Sequence, residues 1–194
     1  HTVTVATSHD PTRINKIING VNIKDFKISG NIVRGIKGDQ NKYINFLLKG
    51  DYDIITNFAA QQWASDLTFK VLNKINAKKI FVPTGFSGLF NSQFSDYFEK
   101  IPKFLNYYDS IVYLSNDYRD ISFSREYGLN KGIIIPNGAS EDEFSIFKKD
   151  LSLKRDIGIK QDFMIISIGT HTGAKGHDEA IQIFKELNIN NSAL

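Results

Sequence analysis

Near its carboxyl-terminal end the sequence reads FMIISIGTHTGAKGHDEAIQIFKEL. An apolar run is followed by a loop carrying Gly169, Gly173 and Gly176. Ala180, Ile183, Phe184 and Leu187 then recur at helical spacing. Strand, glycine loop and helix in that order gather free backbone N–H groups and the positive end of a helix dipole at one point. Such a point binds an anion, most often phosphate. Lys175, just before the helix, adds a full positive charge. Two familiar nucleotide loops are excluded by spacing. A Walker loop needs Gly before the lysine and Ser or Thr after it, and here the neighbours are Ala174 and Gly176. A dinucleotide fingerprint needs G-x-G-x-x-G, which Gly169-Thr170-His171 does not give. A tight strand-to-helix turn that uses glycine only for its backbone freedom is the competing reading.

Three other stretches hold candidate chemistry. Thr84-Gly85-Phe86-Ser87-Gly88 follows an apolar run and is small enough for a sugar or phosphate to approach its backbone; an ordinary loop is the alternative. Pro136-Asn137-Gly138 also follows an apolar run. It reads as a turn with Gly138 at positive φ, or as a cleft wall, because α/β ligand sites lie at the carboxyl ends of strands. His171 and His177 are close in sequence but lack the third ligand that a metal pair needs. His177 reads better as part of a first helical turn, and His9 as a residue at the end of the first strand.

The elements that must position these residues alternate. Strand-like runs fall at Val3–Ala6, Phe26–Ile28, Asp53–Thr56, Lys79–Val82, Ser110–Leu114, Gly132–Ile135 and Phe163–Ile168. They are short and rich in Ile and Val, the pattern of strands buried on both faces. Between them, Tyr43, Ile44, Leu47 and Leu48 make a helical stripe, as do Ala64, Leu67, Val71 and Ile75. Trp63 and the aromatics Phe94, Tyr97, Phe98, Phe104, Tyr107 and Tyr108 read as packing against a sheet. Repeated strand–helix alternation predicts a doubly wound α/β fold with helices on both faces of a parallel sheet.

Composition narrows the class. The chain has 194 residues, 24 Lys plus Arg and 21 Asp plus Glu, for a formal charge of +3. That surplus is too small to indicate nucleic acid. The absence of cysteine excludes disulfides, thiolate metal sites and a cysteine nucleophile. No apolar run reaches the ~18 residues of a membrane span, and no signal peptide opens the sequence. Around 136–161 the pattern changes to a turn, an acidic run (Glu141, Asp142, Glu143) and a charged stretch. Residues 1–147 are read as one domain, 148–161 as a linker and 162–194 as the start of a second. Both ends read as cut, so a fragment of a longer protein is expected.

The pairing of IIIPNGASEDEF with IISIGTHTGAKGHDEAIQIF across a charged linker resembles the interdomain region of retaining glycosyltransferases of the GT-B fold, family 4. YYDSIVYLSNDYRDISFSREYGLNKGIIIPNG is similar to the end of their first domain. The likeness covers most of the chain, weakly before Ile54 and strongly after Asp109. It implies two Rossmann-like domains facing across a cleft, the second binding a nucleotide-diphosphate sugar through a G-R-x-x-x-x-K-G loop. Carried over, Gly169, Thr170, Gly173, Lys175 and Gly176 would hold the donor phosphates. Thr84, Gly85, Phe86, Asn137 and Gly138 would line the acceptor side. The resemblance implies transfer with retention to a glycan, lipid-linked or other hydroxyl acceptor, without a metal or other cofactor and without nucleic acid. The implied location is the cytoplasm, including the inner face of the cell membrane, with peripheral membrane contact through the aromatic helix bearing Lys100 and Lys103. Thr170 replaces the family arginine, IFVPTGFSGLF lacks the histidine many members carry there, and the family's acidic pair would lie past Leu194. These departures keep a second reading open: a non-catalytic α/β module that binds sugar or phosphate.

Overall fold

The computed structural model describes residues 1–144, 152–171, 173 and 175–194, in two compact units, His1–Gly138 and Ala139–Leu194. Residues 145–151, on which the expected boundary after Phe147 and the start of the linker fall, lie outside the described residues.

The first unit opens with strands β1 (Thr4–Ser8), β2 (Ile17–Ile18) and β3 (Val21–Phe26). They form a sheet of order β1-β3-β2, with β1 parallel and β2 antiparallel to β3. A hairpin of β4 (Ile28–Asn31) and β5 (Gly35–Gly38) follows. The run expected as one strand over Phe26–Ile28 is therefore a junction. Phe26 and Ile28 are both buried while Lys27 interrupts the pairing. The hairpin depends on glycine: a Cβ on Gly30 or Gly38 would run into the carbonyl of Gly35 or Lys27, and both glycines have positive φ.

Helix α1 (Gln40–Lys49) leads into the main sheet, whose strands are β6 (Ile54–Phe58), β7 (Lys78–Val82), β8 (Ser110–Tyr113) and β9 (Gly132–Ile134). They are all parallel and lie side by side in sequence order. The connections carry α2 (Trp63–Phe69), α3 (Ser95–Leu105) and α4 (Arg119–Glu126), with 3₁₀ turns at Leu72–Lys74 and Ser92–Phe94. The result is a mixed α/β unit with a four-strand parallel sheet flanked by helices, compatible with a Rossmann-like fold. No reversal of strand order occurs within this sheet, so the doubly wound expectation is not met there.

The periodicity over Ala64–Ile75 predicts one helix, yet α2 stops at Phe69. The amides of Lys70 and Val71 bond three residues back, to Leu67 and Thr68, which tightens the last turn. Leu72 and Ile75 still reach the core from the 3₁₀ turn, so the apolar stripe is satisfied without a continuous helix.

Two apolar clusters hold the unit. One joins Phe26, Tyr43, Leu47, Trp63 and Leu67; the other joins Phe69, Phe81, Phe86, Phe98, Leu105, Tyr108 and Ile111. The aromatics of the α3 region serve this core: Phe94, Tyr97, Phe98 and Tyr108 are buried, and only Tyr107 is half exposed.

At the carboxyl end of β7 both faces are covered, since Phe81 and Val82 are both buried, but the outer strands are not buried on both faces. Paired residues in parallel strands share a face. Asn57, Phe81 and Ile111 line the covered face, and all are buried. On the other face Ile54, Phe58 and Ile133 are 58%, 67% and 49% exposed.

The second unit contains α5 (Glu141–Phe144), α6 (Leu153–Asp156), β10 (Phe163–Met164), α7 (His177–Leu187) and β11 (Ser192–Ala193). Strands β10 and β11 pair in parallel across α7, a minimal strand–helix–strand unit. The strand expected over Phe163–Ile168 is cut short because its partner is only two residues long. The amide of Ile165 makes one further bond, to the Ala193 carbonyl. No described residue of this unit is buried, and Ile181, Ile183 and Leu187 of α7 are exposed.

Candidate functional site

In the second unit the glycine loop closes on the start of α7. Gly176 caps the helix in the left-handed conformation (φ 70°), and its carbonyl accepts the first helical bond from Ala180. A Cβ on Gly169 would lie 3.1 Å from His177 Nε2 and 3.4 Å from Lys175 Cβ. Glycine at 169 thus lets the loop after β10 approach the helix start. His177 also meets Ser167 Oγ through Nδ1 at 3.1 Å, and its ring stacks on His171 with centroids 4.3 Å apart. The two histidines lie face to face in a stack.

Of the predicted phosphate residues, Gly169, Lys175 and Gly176 are brought together. Thr170 is exposed, and Gly173 (φ 75°) has open space where a Cβ would be. Lys175 is exposed and makes no ion pair among the described residues. The helix terminus is not purely electropositive, since Asp178 and Glu179 occupy its first turn. Their charges already complement the dipole there, and an arriving anion meets that competition.

In the first unit the loops at the carboxyl ends of β6 and β7 form a second candidate. Ala59, Gln61, Thr84 and Phe86 all have positive φ, at 62°, 61°, 56° and 45°, and Gly85 lies between the last two at 95°. Non-glycine residues in this region cost about 1–3 kcal/mol each and persist only where surrounding structure imposes them. Here it does. The amides of Ala59 and Ala60 bond the carbonyls of Val82 and Pro83, extending the ladder past the strands. Asp120, buried in the first turn of α4, accepts the Gly85 N–H at 2.9 Å through one oxygen and the Ile121 N–H at 2.9 Å through the other. Gln61 accepts the Gly88 N–H at 3.1 Å, and its own amide donates to Tyr97 Oη at 2.9 Å. Tyr97 donates in turn to Asp66, whose second oxygen accepts the Ile32 N–H at 2.7 Å. Burial pushes the Asp66 carboxyl above its ordinary range, while the Ile32 amide and the Tyr97 hydroxyl oppose that shift. A chain of four residues from four segments fixes this loop, which the sequence alone presented as small and flexible.

Of the predicted acceptor residues, Thr84 is exposed at the loop surface. Gly85 is buried beneath Tyr118, where a Cβ would meet the ring at 2.4 Å. Phe86 is 1% exposed and its ring packs edge-on against Phe98 and Phe123, so it offers a ligand neither its ring nor its backbone. Asn137 and Gly138 are exposed in a segment without regular structure; Gly138 is not among the positive-φ glycines, so the expected turn is absent there. No hydrogen bond among the described residues ties Asn137 or Gly138 to Thr84, Gly85 or Phe86.

A third cluster stands where β1 and β3 end. His9 Nδ1 and Lys16 Nζ take opposite oxygens of Asp25, at 2.5 and 2.8 Å. The Lys16 ammonium, then His9, hold the Asp25 carboxyl well below the usual carboxylate range. Trp63 Nε1 donates to Ser8 Oγ at 2.8 Å, tying α2 to the end of β1. Sequence reasoning missed Asp25, Gln61, Asp66, Tyr97 and Asp120.

Fold and geometry together define an α/β protein whose fixed loops gather at the carboxyl ends of parallel strands, joined to a small unit with a glycine loop opening a helix. No family model and no curated protein matches the chain. Among the described residues, no helix is long and apolar enough to cross a membrane.

Proposed function

We propose that this chain is part of a retaining glycosyltransferase that moves a sugar from a nucleotide-diphosphate donor to a hydroxyl acceptor. The observation that carries the reading is Lys175: an exposed ammonium, unpaired among the described residues, beside Gly169 and Gly176 at the start of α7. In such a transfer the bond from the anomeric carbon to the phosphate oxygen breaks and a bond to the acceptor oxygen forms. The acceptor's proton leaves, and the departing diphosphate gains charge. A fixed cation with helix N–H groups stabilises that charge as it develops. Lysine serves here as a point charge rather than a bidentate clamp. The fixed loop at Thr84–Gly88 presents the exposed Thr84 and Ser87 to the acceptor side.

The experiment is a titration of the protein with UDP- and GDP-sugars, beside Lys175→Ala. An exposed charge pair at about 4 Å is worth roughly 1 kcal/mol in a water-like dielectric. The variant should bind about fivefold more weakly, and the difference should shrink as salt rises. Equal binding by both forms at low salt would remove Lys175 from the donor site. The second reading, a non-catalytic binding module, is favoured by Thr170 in place of an expected cation and by the acidic first turn of α7. Binding without sugar transfer to any acceptor would select it.

A further inference from the structure

A groove of about 420 Å³ lies between the loop after β7 and helix α4. Its size falls in the range of small-ligand sites, about 300–1,000 Å³, and it opens at the carboxyl ends of β7 and β8, where α/β proteins bind ligands. One wall is Phe90, 81% exposed, with Leu89 beside it. The opposite wall is polar: Asp117, Arg119, Ser122 and Glu126. Phe123, buried in the core, forms the floor.

The lining chooses among ligands by charge and shape. Two carboxylates against one guanidinium leave the groove one charge negative, which opposes a phosphate or another anion. A cationic ligand meets Arg119, and the face of Tyr118 that would attract it is already covered: Arg119 stands 5.0 Å from that ring's centre and donates to Tyr118 Oη at 2.8 Å. A neutral molecule with one apolar face and many hydroxyls meets neither obstacle. Its C–H face can lie on Phe90, its hydroxyls can donate to Asp117 and Glu126, and Arg119 can donate to its oxygens. The groove is also pre-organised, because Gly85 lies against Tyr118 and is held by Asp120.

We propose that this groove binds an uncharged saccharide through Phe90, Asp117, Arg119 and Glu126, and that the acceptor is therefore a neutral glycan rather than an anionic or phosphate-bearing one. The assignment of the saccharide as acceptor rests on the transferase reading; the binding itself does not. The test is an NMR titration of the whole chain with maltotriose, cellobiose and N,N′-diacetylchitobiose, with digalacturonic acid and inorganic phosphate alongside. At least one neutral sugar should shift the amides of 89–90 and 117–126, and Phe90→Ala and Glu126→Gln should each weaken it about tenfold. Phe90 is exposed, so an unchanged melting temperature for Phe90→Ala certifies its fold. No shift at these amides with any neutral sugar, undiminished binding by Phe90→Ala, or tighter binding of digalacturonic acid or phosphate overturns the proposal. UDP and GDP titrations are read separately at residues 169–177. Saccharide binding without nucleotide binding fails the donor assignment alone; the reverse fails the groove alone.

Discussion

At the scale of single residues, the side chains that matter most are buried carboxylates that serve the backbone. Asp120 spends one oxygen on its own helix and the other on a loop 35 residues away. Asp66 spends one on the Ile32 amide and one on the Tyr97 hydroxyl. A buried N–H stripped of its acceptor costs about 1–3 kcal/mol. Asp120→Ala should lose about that much in urea denaturation, chiefly through the Gly85 amide. Asp120→Asn, which keeps one acceptor oxygen, should lose less. Equal stability of Asp120→Ala and wild type would mean that the Gly85 amide finds another partner. Lys175 is the opposite kind of residue: it does nothing visible for the fold, which is why its removal should report on binding alone.

At the scale of elements, the loop after β7 is built by collision as much as by bonding. Gly85→Ala places a methyl 2.4 Å from the Tyr118 ring at a φ of 95°. Two penalties combine there, the steric one and the left-handed backbone one of roughly 1–2 kcal/mol. Adding Tyr118→Ala to Gly85→Ala should restore the steric part and leave the backbone part, a non-additivity that a double-mutant cycle measures. Strict additivity would show that the two residues do not touch. The segment between β1 and β3 is fastened differently, by Asp25 held between Lys16 and His9. Because the folded carboxyl titrates below its unfolded value, this stabilisation is present above the ordinary carboxylate range and disappears as pH falls through and below it. Asp25→Asn should flatten that portion of the stability-against-pH curve between pH 5 and pH 2, relative to wild type. A curve of unchanged slope would count against the triad.

At the scale of the whole molecule, one face of the parallel sheet is bare at its outer strands, although Val82 on that face is buried. Ile54, Phe58 and Ile133 leave an apolar surface of the kind that drives association in soluble proteins. Sedimentation velocity should show concentration-dependent self-association that decreases in Ile54→Thr/Phe58→Ser. The double variant should keep its stability to about 0.5 kcal/mol, since both side chains are exposed. Monodisperse wild-type protein at all concentrations would contradict this. The same surface marks where expectation and structure part. Short Ile- and Val-rich runs announce strands, but they cannot say whether one face or two will be covered, because covering depends on elements distant in the chain.

Much was nevertheless written in the order of residues. The strands of the main sheet, helices α1 and α7, the burial of Trp63 and of the α3 aromatics, and the glycine loop before His177 follow from periodicity, which acts between residues three to four or two apart and survives in any context. The end of α2 at Phe69, the hairpin of β4 and β5, the bare face of the outer strands and the short β10 did not, because each was settled by what the segment met. The fixed loop at Thr84–Gly88 belongs to that second group most clearly. Its partners Asp120 and Gln61 lie 35 and 27 residues away, and the Asp66–Ile32 bond spans 34. No local pattern encodes such pairings. They exist because parallel strands set side by side deliver loops from separated parts of the chain to one end of the sheet, where buried amides must find acceptors from whichever segment lies nearest.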